Sequence, residues 1–290
     1  MGTTTAILTV MLSALLFAAS HSAVKYLTEE LHPFVIAFWR TVFAFIPFIP
    51  WIARNRLTAL QTSRFGLHLI RAFVSATAIV LWFYGLALMP LADATALSLT
   101  GPLFAMMGAA LFLGESVGPR RWTALVFGLC GALVIIRPGF ETISLGAILV
   151  LLRGVTQGVN KVMIKSLTRT DEPGVIVVYV MLLMLPITFV PSLFFWQWPT
   201  FSAFVVLAAA GGLSALGNIT MVHAYKAIDV GLLEPITFTR LIWAALIGYL
   251  VFAEIPDRWT WAGSAMIVAA TSFIAYREAL LKRAKGRKSA

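Results

Sequence analysis

Apolar positions in this chain do not alternate with polar ones; they run on for about 20 residues at a time, the length a helix needs to cross a hydrocarbon core. Ten such runs predict ten spans, at 6–27, 33–53, 65–88, 91–113, 120–136, 143–164, 174–196, 201–227, 230–253 and 257–276. The breaks between them carry turn chemistry or charge: His32-Pro33, Arg54-Asn55-Arg56, Met89-Pro90, Gly118-Pro119, Arg137-Pro138-Gly139, Asp171-Glu172-Pro173, Trp198-Pro199, Asp229 and Ile255-Pro256-Asp257. A transmembrane barrel would need strands that alternate polar and apolar, so continuous runs exclude it. No break is long enough for a second domain.

Composition agrees with this reading. The chain has 290 residues, 60% hydrophobic and only 12% charged, with mean hydropathy +0.91. Soluble domains are about 45–50% apolar and about 25% charged. A soluble globular protein, a disordered chain, a collagen and a disulfide scaffold are therefore excluded. Cys130 is the single cysteine, so no internal disulfide exists and no redox compartment can be read from it. The first run resembles a secretory signal, but no basic residue precedes it and further spans follow. The start Met1-Gly2-Thr3-Thr4-Thr5-Ala6 lacks the hydroxyl residue that myristoylation requires at position six.

Charge placement predicts orientation. With the N-terminus in the cytoplasm, the inner loops and tail hold fifteen of the 22 basic residues, six of them between Arg277 and Lys288. The outer side holds only Lys25, Arg137 and Arg258, while Arg40, Arg71, Arg153 and Arg240 lie inside spans. That asymmetry puts both termini inside. The basic tail, 277–290, suits the anionic cytoplasmic leaflet and not a nucleic acid.

The two halves repeat. Glu115 and Glu254 each end a long apolar run, and a Trp follows each seven residues later, at Trp122 and Trp261. Pro33 and Pro173 open spans two and seven, and Lys25 and Lys165 close spans one and six, both at a spacing of 140. Five spans per copy is an odd number, so the second copy must enter the membrane upside down. Inverted repeats build a midplane site in many secondary transporters. The expected architecture is thus an all-α polytopic membrane protein of ten transmembrane helices in two inverted five-helix repeats. Residues 1–139 and 140–276 form the two units, and 277–290 a cytoplasmic tail.

The stretch from Trp82-Phe83-Tyr84-Gly85 to Met89-Pro90 and Asp93, followed by Gly101-Pro102, Gly114-Glu115, Arg120-Arg121-Trp122 and Gly128 to Gly131, closely resembles the EamA-type family of the drug/metabolite transporter superfamily. The second half matches through Asn218, Tyr225, Leu233-Glu234-Pro235 and Glu254. The resemblance implies ten spans in inverted repeats and movement of small metabolites, often amino acids, commonly outward across a bacterial inner membrane. It also implies that spans one, three, four, six, eight and nine line a central cavity.

Polar groups inside spans are costly and face either a cavity or a partner. Span six carries Arg153, Gln157 and Asn160 at i, i+4 and i+7, on one helical face. Either that face lines a wet path, or Arg153 pairs with an acid such as Glu234. Gly154 and Gly158 in the same span suit close helix packing. Span eight carries Ser214, Asn218 and Tyr225 on one face, beside Gly211-Gly212. Span nine carries Thr237 and Arg240, with Glu234-Pro235 near its start. Arg240 can hold a substrate carboxylate in a bidentate way or belong to a structural pair. Span four offers Thr95, Ser98 and Pro102. Trp82 and Tyr84 of span three can stack on a substrate, or belong to an interfacial belt with Trp196, Trp198, Trp259 and Trp261. The substrate-binding candidates are accordingly Gln157, Asn160, Asn218, Arg240, Thr237, Ser98, Trp82, Tyr84 and Tyr225. His21, Asp93 and Glu234 are the proton-coupling candidates. Glu115 and Glu254, at span ends, read as structural.

No acid lies at the centre of span one, where the small multidrug pumps of the superfamily carry a Glu, so coupled export of bulky cations by that route is not expected. The four histidines are scattered, no metal-ligand spacing exists, Gly212 to Gly217 misses the nucleophile-elbow spacing, and no phosphate loop appears. An enzyme, a metal and a cofactor are not expected. The expectation is a secondary transporter, exporting amino acids or similar metabolites by alternating access, with a small-molecule substrate and the lipid bilayer as partners and a monomer as its form. A vitamin importer and a drug effluxer fit the same pattern. An intramembrane enzyme and a dry assembly protein are the rival classes.

Overall fold

A computed structural model describes residues 3–49, 62–112, 118–138, 144–227 and 230–288. Those residues form helices and no strand. In chain order they are α1 (Thr3–Leu27), α2 (Pro33–Phe45, continued by a 3-10 turn Ile46–Phe48), α3 (Phe65–Leu88), α4 (Leu91–Ser98), α5 (Gly101–Phe112), α6 (Pro119–Ile136), α7 (Leu145–Leu167), α8 (Pro173–Ser192), α9 (Phe201–Ala227), α10 (Val230–Thr237), α11 (Thr239–Phe252) and α12 (Arg258–Lys288). Seven described segments are long and apolar enough to cross a membrane, the last of them, Pro235–Phe252, running across α10 and α11.

Proline sets several boundaries. Pro33, Pro119 and Pro173 open α2, α6 and α8 at the first helical position, where the missing amide costs nothing. Pro102 and Pro235 act otherwise. Residues 91–113 and 230–253 each read as one continuous apolar run, but each run is broken. Pro102 leaves the carbonyl four residues before it without its helical donor, and the chain tightens just before it, Leu99 N–H donating to Ala96 O (3.1 Å) and Thr100 N–H to Leu97 O (3.1 Å). Pro235 sits inside α10, and the tightening follows it, Phe238 N–H donating to Pro235 O (3.3 Å). The last helix also departs from expectation: α12 runs straight through 276 to Lys288, so the basic tail continues a helix.

The packing comes in pairs. α1 lies along α9, and α3 lies along α7. α2 touches α9, and α8 touches α3. α5 lies on α7, and α11 on α1, while α6 packs against α12. Lipid gives helices little hydrophobic reason to associate, so small residues and buried hydroxyls do the joining. Ser13 donates to Gly217 O (2.7 Å) and Ser20 to Ala210 O (2.8 Å), stitching α1 to α9. A Cβ on Gly158 would lie 2.8 Å from the Phe104 carbonyl oxygen, so only glycine lets α5 sit on α7 there.

The bundle's two ends differ. At one, Lys25 Nζ lies 2.6 Å from Glu254 Oε1 and donates to Met89 O (2.6 Å), while Leu91 N–H donates to Glu254 Oε2 (2.8 Å). Arg137 pairs with Asp257 at this end, and the largest apolar core, including Trp82, Phe83, Leu86, Leu91 and Leu97, lies beneath it. At the other end, His68 Nε2 lies 3.1 Å from Asp171 Oδ2, and Arg64 donates to Ser166 O (3.0 Å).

Candidate functional site

Between those ends lies a cavity of about 280 Å³. α1 supplies Phe17 and His21, α2 Arg40, α3 Arg71, Ser75, Trp82 and Phe83, α7 Arg153, Gln157 and Asn160, α8 Met184, α9 Ser214 and Asn218, and α11 Arg240. The cavity continues into a larger chamber of about 550 Å³, sharing Arg40, Arg71, Ile79, Met184, Ser214 and Asn218 and otherwise walled mainly by apolar groups such as Pro47, Val177, Val180, Met181 and Ile219, with Thr41 and His223 among them. The chamber runs between α2, α8 and α9 toward the His68–Asp171 end.

Helical spacing explains the polar wall. Arg153, Gln157 and Asn160 recur along one face of α7 and reach the cavity together. Asn160 Oδ1 accepts from Ser75 Oγ (3.1 Å), which fixes its carbonyl and leaves its amide donors for the cavity. Asn218 Nδ2 donates to Ser214 O (2.9 Å), which leaves its carbonyl as the acceptor. Gln157 makes no hydrogen bond within the described residues.

Arg40, Arg71 and Arg153 are held by neutral groups. Arg40 Nη2 donates to Ser214 Oγ (2.6 Å), and its guanidinium lies 5.6 Å from the centre of the Phe83 ring. Arg71 Nη1 donates to Ile176 O (2.7 Å). The Arg153 guanidinium lies 4.2 Å from the Trp82 ring centroid, and the His21 ring meets Trp82 edge-on at 4.8 Å. Trp82 is 2% exposed and His21 7%, and Trp82 Nε1, His21 Nδ1, Arg40 Nε and Arg71 Nε are buried without a hydrogen-bond partner. A desolvated guanidinium on an indole is worth about 2 kcal/mol.

The structure thus gathers Gln157, Asn160, Asn218, Arg240, Trp82 and His21 around one space. Ser98, Thr237, Tyr84 and Asp93 stand elsewhere. Ser98 is buried and donates to Thr95 O (2.7 Å) within its own helix, a short turn whose hydroxyl turns back on the backbone. Thr237, at the end of α10, is not part of the cavity wall. The Tyr84 hydroxyl lies 3.1 Å from His32 Nε2, in a ring cluster with Phe34, and burial holds the His32 imidazole below its ordinary range. Asp93 accepts from Thr260 Oγ1 (2.7 Å) at the Lys25 end, in the same network as Asp257. The side chains of Tyr225 and Glu234, and all of Glu115, lie outside the described residues. Arg153 takes the Trp82 ring as its partner. No described residue of α4 or α5 lines the wall, whereas α2 and α8, absent from the implied set of lining spans, supply Arg40 and Met184.

Ser214, which shares the α9 stripe with Asn218, reaches the cavity too, and Arg40, Arg71 and Ser75 complete the site without having been expected in it. A signal existed for the two arginines: a lone guanidinium inside an apolar span is expensive and therefore needs a use. Ser75 carried none, because single hydroxyls occur throughout helices of this kind.

A model of the EamA-like transporter family matches residues 4–137 and, again, 144–276. The chain is 35% identical to a riboflavin transporter of Rhizobium johnstonii over 83% of this chain and 80% of that protein. It is 26% identical to an S-adenosylmethionine uptake transporter of Rickettsia bellii, covering 92% of each chain. It is 28% identical to a pseudopaline exporter of Pseudomonas aeruginosa, over 91% of this chain and 93% of that one. A solved crystal structure at 19% identity superposes with TM-score 0.63 over 95% of this chain and 99% of its own, a likeness of fold.

Proposed function

The chain belongs to the EamA-like transporter family, a multi-pass membrane protein and not an enzyme, and from that premise we propose that it takes up a flat, acceptor-rich metabolite through the central cavity by alternating access. Riboflavin is the first compound to assay. The observation that carries the reading is the cavity itself: guanidinium and imidazole groups meet a buried indole, and amide side chains line the same space between α1, α3, α7 and α9. Ring oxygens and nitrogens would meet the donors, and a planar ring would meet Trp82 and Phe83. The relative named a riboflavin transporter supports the compound, and the relative named an uptake transporter supports the direction.

The architecture proposed is ten crossings in two inverted five-helix units, 1–139 and 140–276, working as a monomer in a bacterial inner membrane. The double match of the family model and the paired helix packing support it. Both termini are placed in the cytoplasm on the charge asymmetry, so the chamber opens inward and the Lys25–Glu254 end seals the outer side. Rocking the two units would exchange those roles.

Export of amino acids is the second reading. The arginines suit a carboxylate, and the relative named an exporter favours that direction. Purified protein in liposomes decides between the two: entry of labelled riboflavin supports the first, outward counterflow of amino acids alone supports the second, and movement of neither overturns both.

A further inference from the structure

The central cavity collects positive charge, and three of its four lining arginines meet neutral partners. Arg40 is bound to a serine hydroxyl, Arg71 to a peptide carbonyl and Arg153 to an indole face. No carboxylate pairs with any of these three among the described residues, and no described lining residue of the cavity or of the chamber is an Asp or Glu. A buried cation costs free energy until an anion neutralises it, and a hydroxyl, a carbonyl or a ring face offsets only part of that cost. Arg40 and Arg71 also keep a buried Nε–H each without an acceptor. Around these three arginines the described lining is therefore rich in donors and holds no carboxylate.

The space also has two parts of different character. The 280 Å³ cavity is mainly polar, and the adjoining 550 Å³ chamber is mainly apolar, walled by Pro47, Val177, Val180, Met181 and Ile219 with Thr41 and His223 among them and Arg40 and Arg71 at the junction. A ligand that fills both has a charged end and an apolar body.

We infer that the cavity takes an organic anion, with a carboxylate or phosphate group among Arg40, Arg71 and Arg153 and a flat apolar body against Trp82 and the chamber wall. The inference rests on the cavity being the transport path. It narrows the substrate class: of two compounds with the same ring, the one bearing the negative charge is preferred over its neutral and cationic partners. A charge-assisted contact of this kind corresponds to roughly a tenfold or greater gain in affinity.

Calorimetric titration of the purified full-length protein tests this with ring-matched sets. The phosphate set is riboflavin and its 5′-phosphate ester. The carboxylate set is indole-3-propionate, tryptophol and tryptamine. The expected result is that the anion of at least one set binds roughly tenfold tighter than its neutral partner, and which set responds identifies the acid group. Arg153→Gln should abolish that preference and Arg153→Lys should retain most of it, with thermal unfolding used to verify that both variants fold. Equal or better binding of the neutral or cationic members in both sets overturns the inference, as does a preference that survives Arg153→Gln and Arg40→Gln alike. Binding by none of the five overturns it too. Liposome flux is scored separately, so that uptake of neutral riboflavin without anion preference leaves the transport reading standing while the charge inference fails.

Discussion

Lys25 and Glu254, 229 positions apart in sequence, meet at 2.6 Å, and each also grips backbone at the α3–α4 junction: Lys25 the Met89 carbonyl, Glu254 the Leu91 amide. Their side chains are 13% and 20% exposed, so the pair is largely shielded from water. It ties together the end of α1, the start of α4 and the loop after α11, the contact proposed to seal the outer side. Glu254→Gln keeps the shape and the acceptor for Leu91 but discards the charge. A loss of about 1–3 kcal/mol would shift a closed–open equilibrium by about 5- to 150-fold. Labelling of Gln157→Cys from the outer side, in a Cys130→Ser background, should rise accordingly. The exchanged pair Lys25→Glu with Glu254→Lys should not restore closure, because an acid would then face the Met89 carbonyl. Restored closure would assign the seal to charge attraction alone.

Trp82 supports two cavity groups at once, Arg153 over its face and His21 against it. Trp82→Phe retains a ring for the guanidinium and should weaken substrate affinity only a few-fold. Trp82→Ala removes it and should weaken affinity roughly 30-fold, as a loss of about 2 kcal/mol requires. Comparison of KM for the two variants in liposomes checks the ordering.

Ala253 ends α11 with φ at 54°, in the left-handed region where a Cβ costs roughly 1–2 kcal/mol. Ala253→Gly should raise the thermal midpoint. A lowered midpoint would mean that the Ala253 methyl contributes more by packing than it costs in backbone strain.

Gly211 and Gly212 look alike in sequence but should behave oppositely. A Cβ on Gly211 would come 2.6 Å from Phe43 Cβ, whereas one on Gly212 meets nothing within 4 Å. Gly211→Ala should therefore cost about 1–3 kcal/mol by forcing α2 off α9. Gly212→Ala should be neutral or stabilising by about 0.5–1 kcal/mol. Thermal unfolding of the two variants distinguishes them.

Most helix positions were legible because apolar run length is a one-dimensional property: the run 65–88 is the helix Phe65–Leu88 residue for residue. The breaks at Leu99–Thr100 and Phe238 were not, because Pro102 and Pro235 are compatible with a kink, a cap or a true interruption until the backbone is traced. At the site, the α7 stripe was legible from its period. The same logic proposed Ser98 and Thr237, which stand outside the described cavity wall, since periodicity says which residues share a face but not what the face meets. His68–Asp171 and Lys25–Glu254 depend on how distant segments assemble, which no local pattern encodes.

The central claim is that substrate passes between α3, α7 and α9. Riboflavin flux in liposomes carrying Gln157→Cys, Cys130→Ser protein, before and after treatment with a bulky thiol reagent, tests it most directly. The account predicts that modification at position 157 abolishes flux, that bound substrate slows the modification, and that wild-type protein, whose exposed Cys130 lies on α6, keeps its flux. Full flux through protein quantitatively modified at position 157 would contradict it.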